Sequence, residues 1–253
     1  MASCALKSNA KIEIFLPFAK IFSKILFFNN HTHINSYSLQ HDKQLAKAII
    51  SLDISLPKEQ FHMLNNINKN SLFTIGIHPW NCHVVNIDSF FSFIKEHAQS
   101  IIGIGECGLD RYAKAEMPAQ ETIFIKHAEL SETLKKPLII HCVKAFNELL
   151  RIHKDFSPKM PWIVHGFNRN PEIAELLLNR NMILSIGAIL LDNRQSIVDM
   201  MNMIPDKQLV LETDISTVSI SEIYKAASKA KQMTLEDLTF SIEHTIHSIY
   251  GHI

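Results

Sequence analysis

Residues 162–186, WIVHGFNRNPEIAELLLNRNMILSI, decide the fold. Trp162–Val164 is a wholly apolar run of strand length. Pro171–Asn179 carries its apolar residues at helical spacing, and Met182–Ile186 is a second apolar run. Neither run alternates apolar with polar residues, so each reads as a strand covered on both faces, the pattern of parallel sheets sandwiched by helices. Pro171 falls in the first helical turn, where the missing N–H is no loss. Strand, helix and parallel strand in this order form one βαβ unit.

The same unit recurs outward in both directions. The other strand candidates are Ile25–Asn29, Ala48–Leu52, Leu72–Ile77, Ile101–Gly105, Leu138–Ile140 and Leu209–Leu211. Helical periodicity runs through Pro57–Ile67, Ser89–His97, Pro118–Leu134, Ala145–His153 and Arg194–Met203. The tail Ser221–Ile249 reads as one or two helices broken near Met233–Thr234. Eight repeats in 253 residues favour a closed (β/α)₈ barrel of the α/β class over an open doubly wound sheet. No Pro/Gly/Ser-rich linker or charge block divides the chain, so residues 23–253 are expected to form one domain. Residues 1–22 read as a loosely ordered extension. Lys7 and Lys11 precede an apolar stretch around Ile14–Ala19, but Lys20 and Lys24 end it early and no small-residue cleavage site is evident.

Composition narrows the function. Lys plus Arg and Asp plus Glu number 25 each, giving a formal net charge of zero. That argues against a protein that coats DNA by bulk charge, because phosphate neutralisation needs a basic excess. No apolar stretch approaches the length of a membrane span. The four cysteines, Cys4, Cys82, Cys107 and Cys142, include no C-x-x-C pair, and the last three sit in or beside apolar runs. They fit a reduced, cytoplasmic chain. Nothing in the sequence demands an oligomer, and a monomer satisfies the reading.

The chemistry is carried at one end of the strands. The first strand runs into His31-Thr32-His33 and the third into His78-Pro79-Trp80; Glu106, His141, His165 and Asp214 follow the fourth, fifth, sixth and eighth. In a barrel of parallel strands these C-terminal ends form a single ring, the face on which barrel active sites lie. Any one of these histidines could be an ordinary core or surface residue; their joint placement argues for a site. The remaining histidines (His41, His62, His83, His97, His127, His153, His244, His247 and His252) have helical or loop settings and read as surface or packing residues. His31 and His33 are two apart on a strand, so both can grip one ion. Imidazole and carboxylate without thiolate leave the metal open among Zn²⁺, Mn²⁺, Mg²⁺ and Fe. Four histidines and two carboxylates exceed one tetrahedral site and suit two divalent ions bridged by a carboxylate.

Two other patterns compete for the same residues. Gly103-Ile104-Gly105-Glu106-Cys107-Gly108 is a literal G-x-G-x-x-G, yet no helix comes directly after it and Glu106 would repel phosphate within the cradle. Cys107 and Cys142 have no activating arrangement for nucleophilic catalysis and read as small core or near-site residues.

The segments His31-Thr32-His33, Gly76-Ile77-His78-Pro79, Gly103–Asp110, Pro137-Leu138-Ile139-Ile140-His141, His165-Gly166-Phe167 and Leu211-Glu212-Thr213-Asp214 resemble, in order, the motifs of TatD-type metal-dependent deoxyribonucleases of the amidohydrolase superfamily. The resemblance spans about residues 25–253 and is most specific at the G-x-G-E-x-G-L-D and E-T-D segments. It implies a (β/α)₈ barrel and hydrolysis of phosphodiester bonds, often as a 3′–5′ exonuclease on DNA. It further implies that His31, His33 and Asp214 hold one metal, that His141 and His165 hold a second, and that Glu106 bridges them. Asp214 and Glu106 are then the catalytic carboxylates, with Asp214 orienting or deprotonating the attacking water. His78 and Arg111 are implied substrate contacts, Lys144 and Arg169 further cations for phosphate, and Glu212 the residue that orients a ligand imidazole. The chain departs from the family pattern in several places. Asn30 stands where Asp usually precedes the H-x-H pair, and Asn168 follows His-Gly-Phe. Thr245 occupies an Asn position of the last helix, and Ile215–Val218 replace a longer substrate loop. The metal centre therefore carries over more directly than the DNA substrate. A hydrolase of a small amide, lactone or aminoacyl ester, and a metal-binding barrel without turnover, are the alternatives the residues leave open.

Overall fold

The computed structural model describes residues 27–33, 45–53, 71–83, 86–192 and 194–251. Eight strands form one parallel sheet in sequence order: β1 (Phe27–His33), β2 (Leu45–Asp53), β3 (Ser71–Gly76), β4 (Gly103–Asp110), β5 (Leu138–Val143), β6 (Trp162–Val164), β7 (Ile183–Ile186) and β8 (Leu209–Leu211). The helices are α1 (Ile87–Glu96), α2 (Met117–Leu134), α3 (Phe146–Phe156), α4 (Pro171–Leu178), α5 (Gln195–Met203), α6 (Ile220–Lys231) and α7 (Leu235–Tyr250). The expected helix Pro57–Ile67 and the extension 1–22 lie outside the described residues. No helix among those described is long and apolar enough to cross a membrane.

The sheet closes at the site itself. Thr32 bridges Asp214 in parallel register, and Asp214 N–H donates to His31 O at 3.0 Å. Below that bridge, Asn29 Nδ2 donates to Thr213 Oγ1 at 2.7 Å and Thr213 N–H returns to Asn29 Oδ1 at 3.0 Å. A buried side-chain amide thus stands in for the next pair of backbone hydrogen bonds. Tyr224 of α6 continues the seam, its hydroxyl donating to Phe28 O at 3.1 Å.

Strand ends differ from the pattern reading in a consistent way. β1, β4 and β5 run on through residues expected to lie beyond them, so His31, His33, Glu106 and His141 are strand residues. The apolar pattern stops where ligand-type side chains begin, but the ladder continues: His33 pairs with Ser51, and Gly108 with His141. The glycines of the G-x-G-x-x-G stretch are explained by this ladder. A Cβ on Gly108, at φ +146°, would lie 2.0 Å from His141 O, and one on Gly105, at φ +121°, 2.3 Å from Ile139 O. They let β4 press against β5 instead of cradling a phosphate.

Local signals set the helices. Asn170 caps α4 by accepting Ile173 N–H, with Pro171 as its first residue. Ser219 and Glu222 form a reciprocal capping box that starts α6 five residues after Asp214. Gln232, in the left-handed region, ends α6, and Thr234 caps α7.

His127 of α2 shows how the scaffold reaches the site. It is fully buried; its Nδ1 lies 2.8 Å from Ile123 O, and its Nε2 accepts the N–H of Ile77 at 3.0 Å. Ile77 directly precedes His78, so this ring fixes the end of β3. Burial pushes the His127 pKa down to about 4, against a small upward pull from Ile123 O. The unfolded chain takes up this proton near pH 6.5 and the folded chain only near pH 4, so stability is complete above pH 6.5 and falls as pH drops between those values. Urea unfolding at pH 7 and pH 4.5 is expected to show a loss on the order of 2–3 kcal/mol from this group. A His127→Gln variant, which can still accept Ile77 N–H, should lose that part of the slope. An unchanged slope would place the acid sensitivity elsewhere.

Candidate metal centre

Glu106, 6 % exposed at the centre of the C-terminal ring, organises the site. Its Oε1 lies 2.7 Å from His165 Nε2, 2.9 Å from His141 Nδ1 and 3.2 Å from His78 Nε2. Its Oε2 faces the other way, 3.4 Å from His31 Nε2 and 3.8 Å from His33 Nε2. Asp214 Oδ1 closes the second group at 3.2 Å from His33 and 3.8 Å from His31. One carboxylate therefore spans two sets of imidazoles, carried by β1, the residues after β3, β5 and the residue after β6. Ser51 of β2 accepts the Glu106 backbone N–H at 3.2 Å and fixes its position.

Charge in this cluster is strongly coupled. Burial would raise the Glu106 pKa, but His165, His141 and His31 together hold it well below the usual carboxylate range. Burial would lower His165, yet Glu106 and then Glu212 push it well above its ordinary value. The hydrogen bond from His33 and the charges of His31 and His165 outweigh the burial of Asp214 and lower its pKa, so Asp214 is ionised at neutral pH.

The donor set fits divalent ions. Three groups of nitrogen and carboxylate atoms come together, each with its ligand atoms within 4.8 Å of one another: His31, His33 and Asp214; His31, Glu106 and His165; His78, Glu106 and His141. Fully buried His31 has neither ring nitrogen hydrogen-bonded, and His165 Nδ1 also lacks a hydrogen bond. Buried nitrogens facing carboxylates without partners are costly, and a cation between them satisfies both.

The surrounding residues fix which nitrogen is presented. Asp110 Oδ2 lies 3.2 Å from His141 Nε2, which favours the proton there and leaves Nδ1 toward Glu106. Glu212 Oε1 lies 3.6 Å from His165 Nδ1 and accepts Gly166 N–H at 2.6 Å, while Ser185 Oγ donates to its other oxygen. Asn30, in the usual Asp position, extends this network: its Nδ2 donates to Ser185 Oγ at 3.4 Å and its Oδ1 accepts from Tyr250 at 3.1 Å. Thr245 is remote from the site, its hydroxyl donating to Asp206 O just ahead of β8.

The structure gathers His31, His33, Glu106, His141, His165 and Asp214 in one cluster, with His78 and Glu212 against it. Arg111, expected as a substrate contact, directly follows β4. It ion-pairs with Glu148 and donates to Lys144 O at 2.8 Å, because α3 brings Glu148 beside the end of β4. Lys144 lies over the Tyr112 ring at 4.8 Å from its centroid. The cation lining the cleft beside His141, His165 and Asp214 is Arg169; this cleft measures about 120 Å³. A second cleft of about 220 Å³ meets Asp214 from the side of Gly187, Ile215 and Ser216.

Sequence reasoning missed Asp110 and Trp80 as functional candidates. Asp110 Oδ2 accepts Trp80 Nε1–H at 2.7 Å, and its Oδ1 accepts Tyr112 N–H at 2.8 Å. Asp110 is four residues from Glu106 on one strand, an even offset that puts both on one face, and this was the available signal. Trp80 and Tyr112 are 58 % and 66 % exposed, so two aromatic rings stand out at the mouth, both tied to the carboxylate that holds His141.

Residues 28–250 match the family model described as TatD related DNase. An uncharacterized metal-dependent hydrolase of Buchnera aphidicola subsp. Baizongia pistaciae is 29 % identical over 193 residues, covering 73 % of this chain and 71 % of its own. A 3′-5′ ssDNA/RNA exonuclease TatD of a Rahnella species is 31 % identical over 153 residues, 56 % of each chain. Among solved structures, the TatD homolog YJJV of Escherichia coli K12 superposes with a TM-score of 0.79 at 16 % identity, over 90 % of this chain and 98 % of that one. That likeness concerns the fold: eight parallel strands in a nearly closed barrel.

Proposed function

The chain belongs to the TatD related DNase family of metal-dependent hydrolases, and on that premise we propose that it is a two-metal phosphodiesterase that removes nucleotides from the 3′ end of single-stranded DNA. The carrying observation is the position of Glu106 between the two imidazole groups, one carboxylate oxygen toward each. His31, His33 and Asp214 would hold one ion, His141 through Nδ1 and His165 through Nε2 the other. Two such ions, when bound, lower the pKa of a water and stabilise charge on the attacked phosphoryl group.

The protein's own residues complete the reaction. Asp214 is ionised, one-third exposed and borders both clefts, so it can accept the proton of the attacking water. Trp80 N–H donates to His78 Nδ1 at 3.2 Å, which puts the proton of a neutral ring on Nε2. His78 Nε2–H then points to Glu106 Oε1, 3.2 Å away, and helps to hold that carboxylate in place at the edge where substrate would enter. Arg169 stands ready for a non-bridging phosphate oxygen. Asp110 and Glu212 hold the His141 and His165 rings in the required tautomers.

Metal analysis, together with hydrolysis of a 5′-labelled single-stranded oligonucleotide in Mg²⁺, Mn²⁺ and Zn²⁺, tests this reading. A ladder shortening from the 3′ end is expected. DNA left intact in every metal, with turnover of a model amide or lactone instead, overturns it.

Trp80 and Tyr112 supply stacking surfaces for unpaired bases. Trp80→Ala is expected to raise KM for the oligonucleotide about tenfold while leaving kcat/KM for bis(p-nitrophenyl) phosphate, which has no base, within twofold. Equal losses on both substrates would mean that Trp80 acts through Asp110 and not by stacking.

A further inference from the structure

At the end of the barrel remote from the metal centre, a cleft of about 690 Å³ opens between the starts of β6 and β7 and the residues ahead of β8. Trp162 opens β6, Ile183 opens β7, and Gln208 precedes β8, so this is the N-terminal face. Lys154, Lys159, Arg180 and Lys207 line the cleft together with His153, and no Asp or Glu does. In a chain whose charges balance, four cations on one concavity require an account of the nearby acids.

Those acids are engaged elsewhere. Asp155 pairs with Arg151, and Asp206 with Lys231 at 2.8 Å. Glu132 accepts the backbone N–H groups of Lys159 and Met160 at 2.7 and 2.9 Å. Among the described residues, none of the four lining cations forms a salt bridge. A second observation is independent of charge. Trp162 is 2 % exposed, and its indole Nε1–H is buried without a hydrogen-bond partner. The Trp162 ring lines the cleft and packs against Phe124, His153 and Phe156, so its buried Nε1–H senses the wall of the cleft without facing into it. The apolar part of the wall, Pro158, Met160 and Pro161, gives an organic moiety a surface beside the charges.

We propose that this cleft binds a phosphorylated small molecule of nucleotide size, its phosphate held by Lys154, Lys159, Arg180 and Lys207 and its organic part lying along the wall of Pro158, Met160 and Pro161. The volume lies within the range of small-molecule sites, and phosphate suits a cluster of lysines with an arginine. The positive field also reaches His153, whose pKa is lowered first by burial and then by Arg180. Binding in this cleft does not depend on the reaction at the other end of the barrel.

The chain contains only two tryptophans, and they mark the two ends: Trp80 at the catalytic mouth and Trp162 in this cleft. Indole ¹⁵N labelling of the full chain therefore reports both sites at once. In chelator, titration with deoxyadenosine monophosphate or pyrophosphate is expected to shift the Trp162 Nε1–H signal saturably, and deoxyadenosine to leave it in place. The surface variant Lys154→Ala/Lys207→Ala should raise the midpoint about tenfold with the Trp80 response unchanged. A Trp162 signal that does not move, that moves equally with deoxyadenosine, or whose midpoint is unchanged in the variant overturns the proposal. A shift produced by an oligonucleotide but not by the monophosphate also overturns it, in favour of a nucleic-acid surface.

Discussion

Glu106→Gln is expected to lower phosphodiester hydrolysis by about 10³- to 10⁴-fold and to leave the protein with fewer than two metal ions per chain. Among the described carboxylates, Glu106 alone reaches both imidazole groups, with Oε1 2.7 Å from His165 and Oε2 3.4 Å from His31. Glutamine keeps its size and one acceptor oxygen, but the other atom becomes an NH₂ group that donates and cannot ligate a cation. One group of imidazoles therefore faces a hydrogen-bond donor that can occupy a ring nitrogen and brings no charge to hold a cation. The variant also removes the negative charge that overcomes burial and raises His165, so that ring becomes easier to leave neutral. Packing is otherwise retained, and circular dichroism should match the parent. Metal content after desalting, melting temperature with and without added metal, and rates on a labelled oligonucleotide give three readouts. The parent should gain more thermal stability from metal than the variant, because ligand binding to the folded state stabilises it by RT ln(1 + c/Kd), with c the free metal concentration, and the parent has the lower Kd. A variant that retained two ions and worked within tenfold of the parent would remove Glu106 from the bridging role.

The architecture was legible for a physical reason. Strands covered on both faces have to be apolar throughout, so all eight appeared as runs, and Trp162–Val164 and Leu209–Leu211 coincide with their expected bounds. Hidden from the sequence were the strand ends that carry chemistry. At His31–His33 the side chains turn polar and at Glu106–Asp110 two carboxylates and a glycine interrupt the apolar run while the backbone ladder continues, and apolar pattern reports only side chains. The convergence of ligand-type residues was readable because parallel strands share a direction. Partners set by helix placement were not. The ion pair of Arg111 with Glu148 joins residues 37 apart, and the orphaned indole of Trp162 depends on which groups happen to surround it. Asn30 is intermediate. Its departure from the family's aspartate was visible, but its partners Ser185 and Tyr250 come from β7 and the end of α7.

Asp214→Asn is expected to separate metal binding from proton transfer. Asp214 has φ +51°, in the left-handed region where asparagine is among the best tolerated residues. Its backbone contacts, N–H to His31 O and carbonyl from Thr32 Oγ1, do not involve the carboxylate. The fold should therefore survive, and a loss of rate reports chemistry. An amide still offers one oxygen toward His31 and His33, and the group around Glu106, His141 and His165 is untouched. At least one ion per chain should remain. A carboxamide cannot take the proton of water, so kcat is expected to fall about 10²- to 10⁴-fold with KM changed less than threefold. Comparison with Glu106→Gln at saturating metal is decisive. If restoring full occupancy restores the rate of the Asp214 variant, the residue acts only as a ligand. If the rate stays low at two ions per chain, Asp214 is the base, and its opening onto both clefts acquires a purpose: substrate and water can approach the same carboxylate from different sides.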